Sequence, residues 1–136
     1  MTPDEAFAAI ALVAIACDGS MDRREAEALR HQLDMRTPFR DLSDDVMGNL
    51  FERLLEQIRD QGWERLITEA VGQLTLAQQE TALAMAAQLV RCDGAVDPAE
   101  AAMLSRMASQ LKLSESRAAQ ILDVIDVLNR DSLASE

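Results

Sequence analysis

The sequence predicts an all-α fold, a single-domain bundle of about seven helices, and three observations carry that prediction. Aromatic residues make up 3 % of the 136 residues, tyrosine is absent, and only 5 glycines and 3 prolines interrupt the chain. Sheets draw on aromatic and β-branched residues, whereas Ala- and Leu-rich stretches with few breakers favour helices. Hydrophobic residues reach 49 % against 27 % charged, enough for a core and unlike a disordered chain, and the length fits one domain. Finally, helix-start signatures recur along the whole chain.

Taken in order, Thr2-Pro3-Asp4-Glu5 supplies a threonine cap, a proline at the first helical position and a glutamate three residues after the cap, so a first helix should run from about Pro3 to Cys17. Asp22 with Glu25 opens a second helix ending near Leu33. After a connection holding Thr37-Pro38, Ser43 caps a third helix that stops near Gly62, and a shorter fourth runs from about Trp63 to Leu74. Thr75 with Gln78 opens a fifth helix to about Cys92, Asp97-Pro98 with Glu100 a sixth to about Leu111, and Ser114 a seventh to about Leu128. The domain should therefore occupy residues 1–130, with 131–136 as a frayed tail.

Charge narrows the partners. The formal net charge is −11, with 8 basic against 15 acidic residues in 1–70 and 5 against 9 in 71–136, which repels phosphate backbones and argues against nucleic acid. The arginines Arg23, Arg24, Arg30, Arg36 and Arg40 are a local exception, read first as a solvated face that offsets neighbouring acids and otherwise as a surface for an anion or an acidic partner. The longest apolar run, Ala6 to Cys17, is too short to span a hydrocarbon core of roughly 30 Å and suits a buried helix. The acidic residues ahead of it do not make a signal peptide, so a cytoplasmic location is expected, without membrane insertion. Cys17 and Cys92 then read as reduced, small, buried residues.

Residues 11–29 repeat in 86–104 at a constant offset, with 8 identities in 19 positions. The matches concentrate in Cys17-Asp18-Gly19-x-Met21-Asp22-x-x-Glu25 and Cys92-Asp93-Gly94-x-Val96-Asp97-x-x-Glu100. This predicts two helix–elbow–helix hairpins with acidic elbows and an internal duplication. Each elbow has the spacing of the last eight positions of an EF-hand loop. The ligand positions two and four residues earlier hold Ala16 and Ala14, or Arg91 and Leu89, so neither is an EF-hand. Two readings stay open. Asp22, Glu25, Asp97 and Glu100 sit where capping boxes belong, and the Asp-Gly pairs are ordinary turn chemistry, so capping alone accounts for the acids. If instead an approximate twofold axis brings the elbows together, six carboxylates share one surface and a divalent cation would relieve their repulsion.

The paired elbows after apolar helices resemble the TerB-like family associated with bacterial tellurite resistance, and the similarity covers nearly the whole chain. The resemblance implies an all-helical domain of about seven helices with an internal duplication. It also implies a negatively charged, metal-binding surface, which falls on Asp18, Asp22, Glu25, Asp93, Asp97 and Glu100. A stress-response role near the inner membrane face, with peripheral membrane association, is implied by the family alone.

Elsewhere catalysis has little to stand on. His31 is the only histidine and reads as a helix-surface residue, and no nucleophile motif or phosphate loop appears. Trp63 reads as a core-edge residue, and Met21, Met35, Met47, Met85, Met103 and Met107 as core filler. The preferred expectation is a non-enzymatic binding module taking a divalent cation (Ca²⁺, Mg²⁺ or Zn²⁺) or a basic protein partner at the elbows. A protein-interaction scaffold whose acids only cap helices is the alternative, and a metal-dependent hydrolase comes last.

Overall fold

Six helices open on a side chain that accepts a hydrogen bond from the backbone of its own first turn, satisfying a donor that the helix leaves orphaned. The acceptors are Thr2, Asp22, Ser43, Thr75, Asp97 and Ser114. The computed structural model describes residues 1–92 and 94–135. Over these the chain forms α1 (Pro3–Ala16), α2 (Arg23–Leu33), α3 (Asp44–Gln61), α4 (Trp63–Val71), α5 (Leu76–Leu89), α6 (Pro98–Gln110) and α7 (Glu115–Leu128), and no strand occurs among the described residues. At the junction of α3 and α4, Gly62 alone separates the helices. Its φ of +86° suits a residue without Cβ, and its N–H closes α3 on the Ile58 carbonyl at 2.8 Å.

The centre of the bundle follows from composition. Helix α1 has no polar face after Glu5, and Ala8 through Ala14 are all buried, as expected of a helix that is apolar all round. It packs chiefly on α5 and α4. Alanines on both helices, Ala8 and Ala11 on α1 with Ala82 and Ala86 on α5, are fully buried, and small side chains allow close approach of helix backbones. The one buried polar side chain among the described residues, Gln79, is satisfied at both ends. Its Nε2 donates to the Leu74 carbonyl at 3.2 Å and its Oε1 accepts from the Lys112 N–H at 2.8 Å, tying the loop before α5 to the loop before α7.

The direction of α1 and α5 positions everything functional. Pro3 and Phe7 line one cleft with Ala77 and Thr81, so the two helices begin at the same end. At the other end, Ala14 and Cys17 line a second cleft with Asp97 and Glu100, at the start of the helix that follows α5. The central helices thus run side by side in one direction and both hairpin elbows fall at one end.

Several expectations need correction. Met35 is not core filler but 60 % exposed, because α2 ends at Leu33 and Met35 falls in the turn beyond its C-cap Asp34. Cys17 is exposed rather than buried, and Cys92 half-buried, because α1 ends at Ala16 and α5 at Leu89, which leaves both cysteines in the elbows. The connection after α2 contains a cis Thr37-Pro38 bond and a 3-10 turn, Phe39–Asp41, whose Phe39 is buried. His31 is exposed on α2, and Trp63 packs at the core edge under Arg106. No helix among the described residues is long and apolar enough to cross a membrane.

Candidate acidic cleft at the paired elbows

In the first elbow the chain leaves α1 through Cys17, and the Gly19 N–H bonds the Ala16 carbonyl at 2.9 Å with φ +87°. That left-handed conformation is what the glycine supplies. Asp18 accepts from the Ser20 N–H at 3.0 Å and the Ser20 hydroxyl at 3.1 Å, a local Asp-turn that holds its carboxylate at the bend. The capping box follows: the Glu25 N–H donates to Asp22 Oδ1 at 2.7 Å, and the Asp22 N–H donates to Glu25 Oε1 at 2.9 Å. The second elbow repeats the box. The Glu100 N–H donates to Asp97 Oδ1 at 2.8 Å and the Asp97 N–H to Glu100 Oε1 at 3.1 Å, with Gly94 at φ +119°. Asp93, the sixth candidate, lies outside the described residues.

Every acid in these boxes therefore does cap a helix, as one of the two readings expects. Capping engages one named oxygen of each box member, and three of the four, Glu25, Asp97 and Glu100, also line a cleft. Asp18 and Glu25 of the first hairpin and Asp97 and Glu100 of the second line a single cleft of about 290 Å³, floored by Ala14, Ile15 and Met103. Asp22 does not line it. The convergence is also felt at Cys17. This thiol lies at the cleft wall, where the protein packed around it pushes its pKa up, and Asp18, Glu100 and Glu25 raise it further by disfavouring a negative sulfur. Less of Cys17 is therefore thiolate at a given pH, which makes it less reactive. Among the described residues no three His, Cys, Asp or Glu side chains are arranged so as to hold a metal ion. The cleft gathers negative charge over an apolar floor.

One residue that sequence reasoning missed shapes the first elbow. Arg59 of α3 donates to the Gly19 carbonyl at 2.7 Å through Nη1 and to Glu52 at 2.9 Å through Nη2. A Cβ at Gly19 would fall 2.4 Å from Arg59 Cγ, so the absence of a side chain is required by contact as well as by φ. The contact spans 40 residues of sequence, and no local pattern around Arg59 announces it.

Neither the curated proteins nor the solved structures compared with the chain include a match. Residues 4–123, which run from the first turn of α1 into α7 and include both elbows, match the family model of tellurite resistance protein TerB. The chain belongs to the TerB family.

Proposed function

We propose that this TerB-family domain is a non-enzymatic binding module whose two elbows act together as one cation-recognising surface, serving a tellurite or related stress response. The observation that carries the reading is the shared cleft: carboxylates from two hairpins, far apart in sequence, line one cavity in a chain of net charge −11. Like charges gathered in one cleft repel, and a ligand that neutralises them gains from that repulsion. Carboxylates drawn from two hairpins suit the separate cations of a basic protein surface. Among the described residues no three acidic, His or Cys side chains are grouped to chelate a divalent ion. The raised pKa of the Cys17 thiol, which lowers its thiolate fraction, argues for recognition over chemistry at this cleft.

The test is calorimetric titration of chelator-stripped protein with Ca²⁺, Mg²⁺ and Zn²⁺, and separately with a short Arg/Lys-rich peptide. It is run beside Glu25→Gln/Glu100→Gln, in which glutamine keeps the capping box and removes the charge. Saturable binding that weakens at least about tenfold in the variant, at equal thermal stability, supports the surface. No binding of any probe, or equal binding by both proteins, returns the acids to their capping role.

A further inference from the structure

The far end of the bundle has the opposite character. Where α1 and α5 begin, an open cleft of about 720 Å³ is walled by Phe7, buried Phe39, Leu74 and Met35, with Arg36 and Arg40 at its rim. Its volume falls in the range of small-molecule sites, roughly 300–1,000 Å³. The Arg40 N–H bonds the Arg36 carbonyl at 3.0 Å, so the two residues bracket one turn of chain. Arg36 lies 5.8 Å above the Phe7 ring, and Phe7 meets Phe39 at 6.2 Å. Elsewhere Arg30, Arg53, Arg59, Arg91, Arg106 and Arg117 each hold a carboxylate. Arg36 and Arg40 hold none among the described residues, in a chain with nearly two acids per base. Of the expected arginine group, Arg23 and Arg30 do pair with neighbouring acids, Glu27 and Asp34.

From these observations we infer that this cleft binds a small amphipathic organic anion, its apolar body against Phe7, Phe39, Leu74 and Met35 and its carboxylate, sulfonate or phosphate monoester group between Arg36 and Arg40. Charge complementarity selects the occupant. Two guanidinium groups that hold no carboxylate among the described residues present donors suited to an oxyanion. The first turn of α5 opens onto the same cleft with no acidic side chain in it, adding the positive end of a helix. Asp4, the one carboxylate in the lining, leaves the cleft with a net positive charge. The apolar walls give no reason for a bare inorganic ion to be preferred, and the arginines give none for a neutral hydrocarbon.

The test uses 8-anilinonaphthalene-1-sulfonate, whose fluorescence reports transfer to an apolar site, with octanoate, 1-octanol and inorganic phosphate as competitors on the full chain. Expected are one saturable site, displacement by octanoate but not by equal concentrations of octanol or phosphate, and at least about a tenfold loss of affinity in Arg36→Gln/Arg40→Gln, since two charge-assisted bonds are removed. Met35→Glu, at an exposed position, should weaken binding similarly by placing an anion in the cleft. Unchanged affinity in both variants overturns the proposal. So does displacement by octanol as effective as by octanoate, or loss of binding on Val124→Ser/Leu128→Ser, which alters the exposed apolar face of α7 instead.

Discussion

The two elbows carry the same short motif but are supported in different ways. In the first, Gly19 lies under Arg59 of α3 and Asp18 is held by Ser20. In the second, Gly94 has open space where a Cβ would stand, and Ala95 replaces the serine. The second has Pro98 at the head of its helix, where its fixed φ favours helix entry. The capping boxes are thus shared, and the contact with Arg59 belongs to the first elbow. A repeated sequence motif specifies its own caps, because these need only residues three apart. It does not specify what the rest of the bundle places against each copy.

The sharpest way to break this comparison is at the glycines. Gly19→Ala must strain a positive φ and displace Arg59 from the elbow, an expected loss of about 2–4 kcal/mol. Gly94→Ala strains only its own backbone, at about 1–3 kcal/mol. Denaturant unfolding of both variants, alone and combined with Arg59→Ala, separates the two costs. In the Arg59→Ala background Gly19→Ala should cost about 1 kcal/mol less, whereas Gly94→Ala should be additive within about 0.5 kcal/mol. Equal coupling of both glycines to Arg59 would show that the elbows are supported alike.

A second test concerns the boxes that the elbows share. Asp22→Ala and Asp97→Ala each remove a cap, at about 1 kcal/mol, and Asn at either position should restore most of it. Because Pro98 already favours helix entry, the loss at Asp97 is expected to be the smaller of the two, measured by thermal or urea unfolding. A larger loss at Asp97 would mean that the second elbow depends on its cap more than the first.

These contrasts also mark what could be read from the chain alone. Helix starts were legible because Thr2, Asp22, Ser43, Thr75, Asp97 and Ser114 each act on residues three positions away. The central place of α1 was legible because its run of apolar residues offers no solvent face. Helix ends were less so: α4 stops at Val71 and α5 at Leu89, each three residues short of expectation; α4 ends at a glycine, Gly72, whereas the turn at Val90–Cys92 ends α5 without a local breaker. The burial of Phe39 depends on Phe7, and the place of Arg59 on Gly19; both contacts cross long stretches of sequence. The repeat marked six acids as equivalent. That four of them, Asp18, Glu25, Asp97 and Glu100, line one cleft while Asp22 does not follows from the packing of α1 beside α5, which no local pattern encodes.

A smaller effect isolates the serine. Ser20→Ala should cost no more than about 0.5 kcal/mol, since an exposed side-chain bond to Asp18 is lost while the backbone N–H of residue 20 can still donate. The reciprocal Ala95→Ser supplies the second elbow with the missing hydroxyl, and a gain of similar size in thermal unfolding would make the two bends alike in this respect. No change in either variant would leave Arg59 as the distinction that matters.

The subtlest effect asks whether the second elbow acts on the first at all. Glu100 belongs to α6 yet contributes, with Asp18 and Glu25, to the field that holds the Cys17 thiol above its ordinary pKa. A raised thiol pKa means less thiolate at any pH below it, and the thiolate is the reacting species. In a Cys92→Ala background, the rate of alkylation by iodoacetamide at pH 8 should therefore rise about twofold on Glu100→Gln, the size expected of one carboxylate acting partly through solvent. The whole rate–pH curve should move to lower pH without a change in its plateau. Added salt should shrink the difference, because it screens a charge–charge effect and leaves packing untouched. Burial around the sulfur is the larger cause of the shift, so the variant should still react more slowly than a free thiol. A rate unchanged by Glu100→Gln but increased by Glu25→Gln would confine the field to one hairpin and remove the electrostatic ground for treating the two elbows as one surface.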